Sequence, residues 1–514
     1  MSSINEWLEE EGYSNISEST NYFADSEPSE SSGQFSYTIE ELENPTVHNL
    51  IVDDEWTVIN NKDEIEKYLP ETESIPIRIG ISKIKSQILK PYESLDLSEA
   101  IEHKRGYVLN TGGSIWGLDF LPMSEEMQND DDSVQYLAVG GYRSVKEHYI
   151  FGDDSDEEHR HNAIQIWKCH SSTTPSTKHL PTLEMCLLHE YGAICKLEWC
   201  HVSLYQENHI LGILIALFTD GVARIFIVPH PAYFHKRENI DNSKTIYVKV
   251  NKPRVLLVLP NIKMVCFSMG CCRKLACGTD TGSIFVWDII SSIIENKPVL
   301  SVAINDVSKV PVTNVSWRDL YTEEVLFSLD MEGSFTLHDL KDPFIIINEF
   351  RLRLEYAPMM GTGDGMGFIY GDSNDNTVKI NQILGVENSI EIARHYGRIW
   401  DIALSPYHNI AASVSYNGAA IISPILRQVF HYKPKVTRNE YILYVIHYNS
   451  KTKGFRYIDG LKSVSKIPYR GEYNGCIDQV HSLQRIVWNR NKNAKGWIAS
   501  GGGAGLCRLD YTGC

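Results

Sequence analysis

Seven short runs of alternating apolar and polar residues recur along the chain, each opened by a turn-forming Gly or Asn. They read "NAIQIWK" (162–168), "DGVARIF" (220–226), "TGSIFVWD" (281–288), "EGSFTLHD" (332–339), "DNTVKIN" (375–381), "NGAAIIS" (417–423) and "AGLCRLD" (504–510). Alternation with period two sends one set of side chains to a packed face, and Gly or Asn tolerates the positive φ of a tight hairpin. Most copies follow a second strand-like run, such as "GGSIWGLDFLP" (112–122), "YGAICKLEWC" (191–200), "VTNVSWRDL" (312–320) or "YGRIWDIALSP" (396–406). Long amphipathic helical patterns are nearly absent. Each unit therefore predicts several short antiparallel strands.

Seven such units, with four strands each, predict a β-propeller whose blades pack radially around a channel. The turn residues Asn162, Gly221, Gly282, Gly333, Asn376, Gly418 and Gly505 lie 59, 61, 51, 43, 42 and 87 residues apart, against about 40 to 45 in a minimal WD40 unit. The largest insertion thus falls between Gly418 and Gly505. The expected fold is all-β, a seven-bladed WD40-type propeller over residues 76–514. "IPIRIGISKI" (75–84) is expected to supply the outer strand of the last blade and close the ring, removing its free edges. "GGSIWGLDFLP" and "YGRIWDIALSP" are expected to begin the innermost strands of the first and sixth blades. That puts Trp116 and Trp400 near the channel mouth, where they fill the channel or meet a partner.

Charge changes the picture at the N-terminus. No Lys or Arg precedes Lys62, while acids accumulate. Residues 1–60 are expected to form an acidic disordered tail, because such a segment buries too little apolar surface to offset chain entropy, and 61–75 a linker. The tail carries aromatics suited to docking and serines among acids in "DSEPSESS".

The chain's net charge of -18 argues against nucleic-acid binding over the whole surface, which needs many cations to displace counterions. No run approaches the roughly 18 apolar residues of a membrane span, and the N-terminus lacks a signal-peptide pattern, so a soluble cytosolic or nuclear protein is expected. The 11 cysteines show no C-x2-C spacing and are expected to be reduced and mostly buried. "GTGDGMGF" (361–368) and "SGGGAGL" (500–506) lead into strands where phosphate loops open helices, and read as turns. "HEYG" (189–192) lacks the second His of a zinc-protease motif. The acids, His159 and His161 of "FGDDSDEEHRHN" (151–162) lie consecutively on a solvated loop, a poor scaffold for a metal. No catalytic, metal or cofactor set emerges, and neither a small-molecule substrate nor a membrane partner is expected.

The long insertion, residues 427–470, is the strongest local anomaly: ten Lys and Arg stand against two acids. Lys433, Lys435, Arg438, Lys451, Lys453 and Arg456 are candidate contacts for an acidic partner subunit or a DNA backbone, and a solvated loop is the third reading. Tyr432, Tyr441, Tyr448, Phe455 and Tyr457 are interleaved among them, suited to stacking or to filling pockets.

The repeats also carry a resemblance. The third copy ends in Trp287-Asp288 and is close to the WD40 consensus; Trp167 holds the same Trp position in the first. His395 stands four residues before Ile399, as in that repeat's Gly-His element, and Asp220 and Asp375 match its usual buried Asp. Taken in order, "GGSIWGLDFLP", "NAIQIWK", "HEYGAICKLEW", "GILIALFTDGVARIFIVPHP" and "KGWIASGGGAGLCRLDY" resemble the WD-repeat subunit of transcription factor IIIC over roughly residues 76–514. The "DGVARIFIVPHP" element is the most specific piece. The resemblance implies a nuclear, non-catalytic scaffold in the B-box-binding half of that factor, serving RNA polymerase III at tRNA-type genes. Its implied partners are the other subunits, including a second propeller, with promoter DNA reached mainly through the complex. Members of the family can carry a basic N-terminal extension, whereas this N-terminus is acidic. The alternative is a WD40 peptide-reading adaptor, either a ubiquitin-ligase substrate receptor or a histone-tail reader.

Overall fold

The computed structural model describes residues 51–513 except 71–73, 82, 124–133, 145–146, 148–150, 153–159, 172–178, 203–208, 242, 271–272, 306, 319–323, 343–345, 352–356, 362–366, 383–388, 426–439 and 462–478. Their backbone is organised as seven sheets. The innermost strands are Ser114–Phe120, Ile194–Trp199, Met264–Met269, Val312–Trp317, Met359–Gly361, Ile399–Leu404 and Leu483–Trp488, taken here as the first to the last sheet. Each of the seven alternating copies is the third strand of its own sheet.

The apolar faces meet between sheets rather than within one central core. Trp199 and Phe218 pack with Ile166 and Leu187 between the first and second sheets. Trp317 and Val286 pack between the third and fourth, and Trp497 and Cys507 pack with Trp167 and Leu188 between the last and the first. A sheet with two apolar faces is stable only when both are covered, and stacking sheets around an axis covers them all. The fold is an all-β propeller. Its hairpin turns require the predicted glycines. Gly282 has φ +81°, and a Cβ there would lie 2.0 Å from the Ser308 carbonyl oxygen.

Residues expected to be tail and linker are part of the fold. β1 (Trp56–Val58) pairs antiparallel with Ile246–Val250, which itself runs parallel to Thr182–His189 of the first sheet. Trp56, Ile65 and Tyr68 are buried. Residues 51–60 thus contribute to the first sheet, and 61–70 is not a linker, because its apolar side chains cover the first sheet's flank.

The closing strand also differs from expectation. β2 (Ile75–Ile79) and β3 (Lys85–Leu89), which contain "IPIRIGISKI", join the sixth sheet: β2 pairs parallel with Gly454–Ile458, and β3 forms the outer edge. The last sheet is instead completed by β4 (Ser94–Asp96) and β5 (Gly106–Asn110), with β5 antiparallel to Leu506–Tyr511. Glycine permits this. A Cβ at Gly106 would meet the Leu509 carbonyl oxygen at 2.4 Å, so only Gly lets the backbones approach there. Thr111 then donates through its backbone N and its hydroxyl to the Gly505 carbonyl, at 2.8 and 2.9 Å.

The described part of the basic insertion is sheet as well. Tyr441–Asn449 is the fourth strand of the sixth sheet and Gly454–Ile458 the fifth. Phe455 and Tyr457 are buried in the core, so they are not available to stack on bases.

Candidate functional site at the channel mouth

Six of the seven innermost strands carry a register shift at the same place, near their N-terminal ends. It falls between Ile115 and Gly117, Ile194 and Lys196, Met264 and Cys266, Val312 and Asn314, Ile399 and Asp401, and Leu483 and Arg485. A bulge of this kind inserts one residue and re-aims its side chain. The inserted residues of the first and sixth sheets are Trp116 and Trp400.

These two half-buried indoles meet edge to face, with ring centroids 5.7 Å apart. Their strands are not adjacent, since Leu483–Trp488 lies between them. Tyr142 meets the Trp116 ring at 5.7 Å. The guanidinium of Arg398 lies 5.1 Å from the Trp400 ring centre, and that of Arg485 lies 5.9 Å from the Trp116 ring. Arg485 also donates to the carbonyls of Trp116 and Cys195, joining the last sheet to the first and second. The repeated stretches thus build one cluster of three aromatic rings and two cations.

Side chains lace neighbouring inner strands below this mouth. Asp119 Oδ2 accepts from Trp199 N at 2.8 Å, Glu198 Oε2 from Met269 N at 3.1 Å, and Ser316 Oγ from Gly361 N at 3.1 Å. The three occupy one repeat position, four residues after Ile115, Ile194 and Val312, a signal that the aligned repeats contain. Asp401 Oδ2 does similar work from another position, accepting from Ile486 N at 3.0 Å. Burial pushes the Asp119 carboxyl up to about 7, against the opposing pull of Arg490.

The structural repeat residues divide. Trp167 is fully buried and its Nε1 donates to Gln165 at 3.0 Å, and Trp287 is buried. His395 is buried and bonded to Ser413 at 2.8 Å, with burial depressing its pKa to about 3. Asp288, read as part of a Trp-Asp ending, caps the helix Ile289–Glu295 by accepting from Ser291 N at 2.9 Å. Asp220 pairs with Arg224 and accepts from Val222 N within its turn. Asp375 is not the buried Asp of the repeat: its side chain is 60% exposed and pairs with Lys379. The repeat's Trp position is held in this copy by the buried Asn381.

Of the basic candidates, Lys433, Lys435 and Arg438 lie outside the described residues. Lys451 and Lys453 are exposed on the turn before Gly454–Ile458. Arg456 donates to the Gly80 carbonyl at 2.6 Å, so it fastens the sixth sheet's extension instead of facing an open partner surface.

The sequence reading missed a buried charge cluster. Arg508, fully buried, donates to Asp510 at 2.9 Å and to Asp459, and Lys104 pairs with Asp510 at 2.8 Å. The Arg508 guanidinium stacks 4.2 Å from the Tyr444 ring centre. Burial would raise the Asp510 carboxyl, but Arg508 and Lys104 outweigh it and hold it below the usual range. An Arg and an Asp two apart in the apolar run "GLCRLD" were the only sequence signal. Among the described residues, no cluster of His, Cys, Asp or Glu is placed to hold a metal ion. No described helix is long and apolar enough to cross a membrane.

A ring of sheets joined at a channel, with an aromatic mouth and extended rims, defines a protein of the β-propeller class. The chain matches no protein-family model. It is 24% identical to transcription factor tau subunit sfc6 of Schizosaccharomyces pombe over 463 residues, covering 86% of this chain and 71% of that protein. The resemblance carried by the ordered motifs is upheld by this similarity and by the propeller fold.

Proposed function

We propose that this protein is a non-catalytic scaffold subunit of a tau-type transcription factor IIIC, acting in the nucleus in RNA polymerase III transcription of tRNA-type genes. On this reading it pairs with a second propeller subunit and supports B-box promoter binding, reaching DNA mainly through the complex. The observation that carries the reading is collinear similarity to the tau subunit along most of the propeller. Each of the seven sheets is taken as one blade, closed by β5 against Leu506–Tyr511. Trp116 and Trp400 serve as a contact at the channel mouth, and Lys451 and Lys453 as rim contacts.

Affinity purification of the full chain with mass spectrometry tests this. Recovery of the other tau subunits in fixed stoichiometry is expected. Recovery of varied short-peptide ligands without those subunits would instead favour the peptide-reading adaptor, the class to which the ring cluster of Trp116, Tyr142 and Trp400 also lends itself. Trp116→Ala with Trp400→Ala separates the two outcomes further. An adaptor loses its ligands outright, whereas a subunit held at its rim as well as its mouth is weakened but still recovered in the complex.

A further inference from the structure

The sixth sheet ends on an open edge. β3 pairs with β2 on one side and has no strand on the other among the described residues. Residues 85–88 are exposed. Ile81, Ile84 and Ile88 are 51%, 52% and 65% exposed, with Ile88 in β3 and Ile84 immediately before it. Between residues 75 and 92 the charged residues are Arg78, Lys83, Lys85 and Lys90, with no acid. Lys85 and Lys90 reach back to Glu99 and Glu93, both on exposed surface.

The edge is held rigidly. Ile77, Ile79 and Leu89 are buried with Phe455 and Tyr457, Arg456 clasps Gly80, and Asp459 at the base of the extension is bound by Arg508. Lysines on an edge strand usually guard it against pairing with copies of itself. A second copy would also bring the same cations together, so self-pairing is disfavoured. Three exposed isoleucines have no use in simple guarding, and they do not suit a DNA backbone, which offers phosphates and no apolar surface.

We propose that β3 is a docking edge for an extended segment of a partner protein. The segment adds a strand to the sixth sheet, with apolar side chains over Ile88 and acidic ones toward Lys83 and Lys85. The inference rests on the edge alone and stands whether or not the chain belongs to a tau-type complex.

The test uses the full chain and a short peptide of alternating valine and glutamate, followed by fluorescence anisotropy and hydrogen exchange. The peptide should bind and slow exchange over Lys85–Leu89. A lysine-for-glutamate version, and a version methylated on alternate backbone nitrogens, should each bind about tenfold more weakly or worse. Ile84→Ser with Ile88→Ser should weaken binding about tenfold with an unchanged melting temperature. The methylated peptide keeps the test decisive even if that variant folds poorly. Equal binding of the acidic and basic peptides, unchanged exchange in β3, protection of the same amides by duplex DNA, or protection by self-association without peptide would each overturn the proposal.

Discussion

Two sheets of the ring extend well beyond four strands, and they end differently. The first and the sixth both grow by a parallel strand borrowed from elsewhere in the chain, Ile246–Val250 in one and β2 in the other, and each then receives one more strand, β1 or β3. At the first sheet the outer strand is pinned: Trp56 is buried, Arg237 and Lys252 pair with Asp53 and Asp54, and Arg254 binds the buried Glu55 at 2.8 Å. At the sixth sheet the end is open, basic and partly apolar. The same device thus makes a staple where acids just before β1 tie it to the rim and Trp56 is buried, and a presenting edge where β3 stays exposed and only the solvent-facing pairs Lys85–Glu99 and Lys90–Glu93 touch it.

The contrast is most readily broken at the base of the sixth extension. Arg508→Ala leaves Asp459 and Asp510 buried with only Lys104, and denaturant unfolding should show a loss of about 4 kcal/mol. At the first sheet, Trp56→Ala should cost about 3 kcal/mol and raise exchange selectively in β1 and Ile246–Val250. If Trp56→Ala proves neutral, the first extension is no staple.

The two sheets also respond to pH in opposite senses through their inner residues. Asp119 of the first sheet has a folded pKa near 7, raised above its unfolded value. Its protonated form is kept in the fold while the unfolded chain ionises, so stability falls as pH rises from about 4 to 7, by up to about 1.4 kcal/mol per unit. Asp119→Asn should flatten that fall while keeping an acceptor for Trp199. His395, which leads into the sixth sheet and bonds to its Ser413, has a folded pKa near 3, depressed below its unfolded value, so stability falls as pH drops below 6.5 toward 3. His395→Gln should blunt that acid sensitivity, measured by melting temperature across the range. The smallest effect belongs to the open edge: Ile88→Ser should change stability by no more than about 0.5 kcal/mol, since the side chain is mostly in water.

The repeating third strands were legible because six of the seven turn residues, Gly221, Gly282, Gly333, Gly418, Gly505 and Asn376, take a positive φ, whereas Asn162 does not and instead opens its strand. The inner strands were legible from their Gly, Trp and Pro spacing. Which outer strand closes which sheet was not legible. "IPIRIGISKI" alternates more strongly than "GYVLN", yet the observed pairing includes a close approach at Gly106 that alternation does not report. The mouth cluster was half legible. The two Trp stood out, but that bulges turn both rings toward one another is a matter of register, which a single strand's pattern does not encode. Arg508 was hidden because a buried cation in an apolar strand looks like a defect until its partners, from distant parts of the chain, are in place.

The pairing of β5 with Leu506–Tyr511 also bears on how the protein is made. Thr111 and Gly505, which bond at this seam, are 394 residues apart in the chain. At about 5 to 20 residues per second, a ribosome takes on the order of 20 to 80 s to deliver the second after the first. Through that interval β5 waits beside the growing ring without its mate, and the final fold forms only as the last strand emerges. Nascent chains arrested before residue 506 should therefore engage chaperones and stay protease-sensitive in β5, whatever the order in which the earlier sheets have assembled.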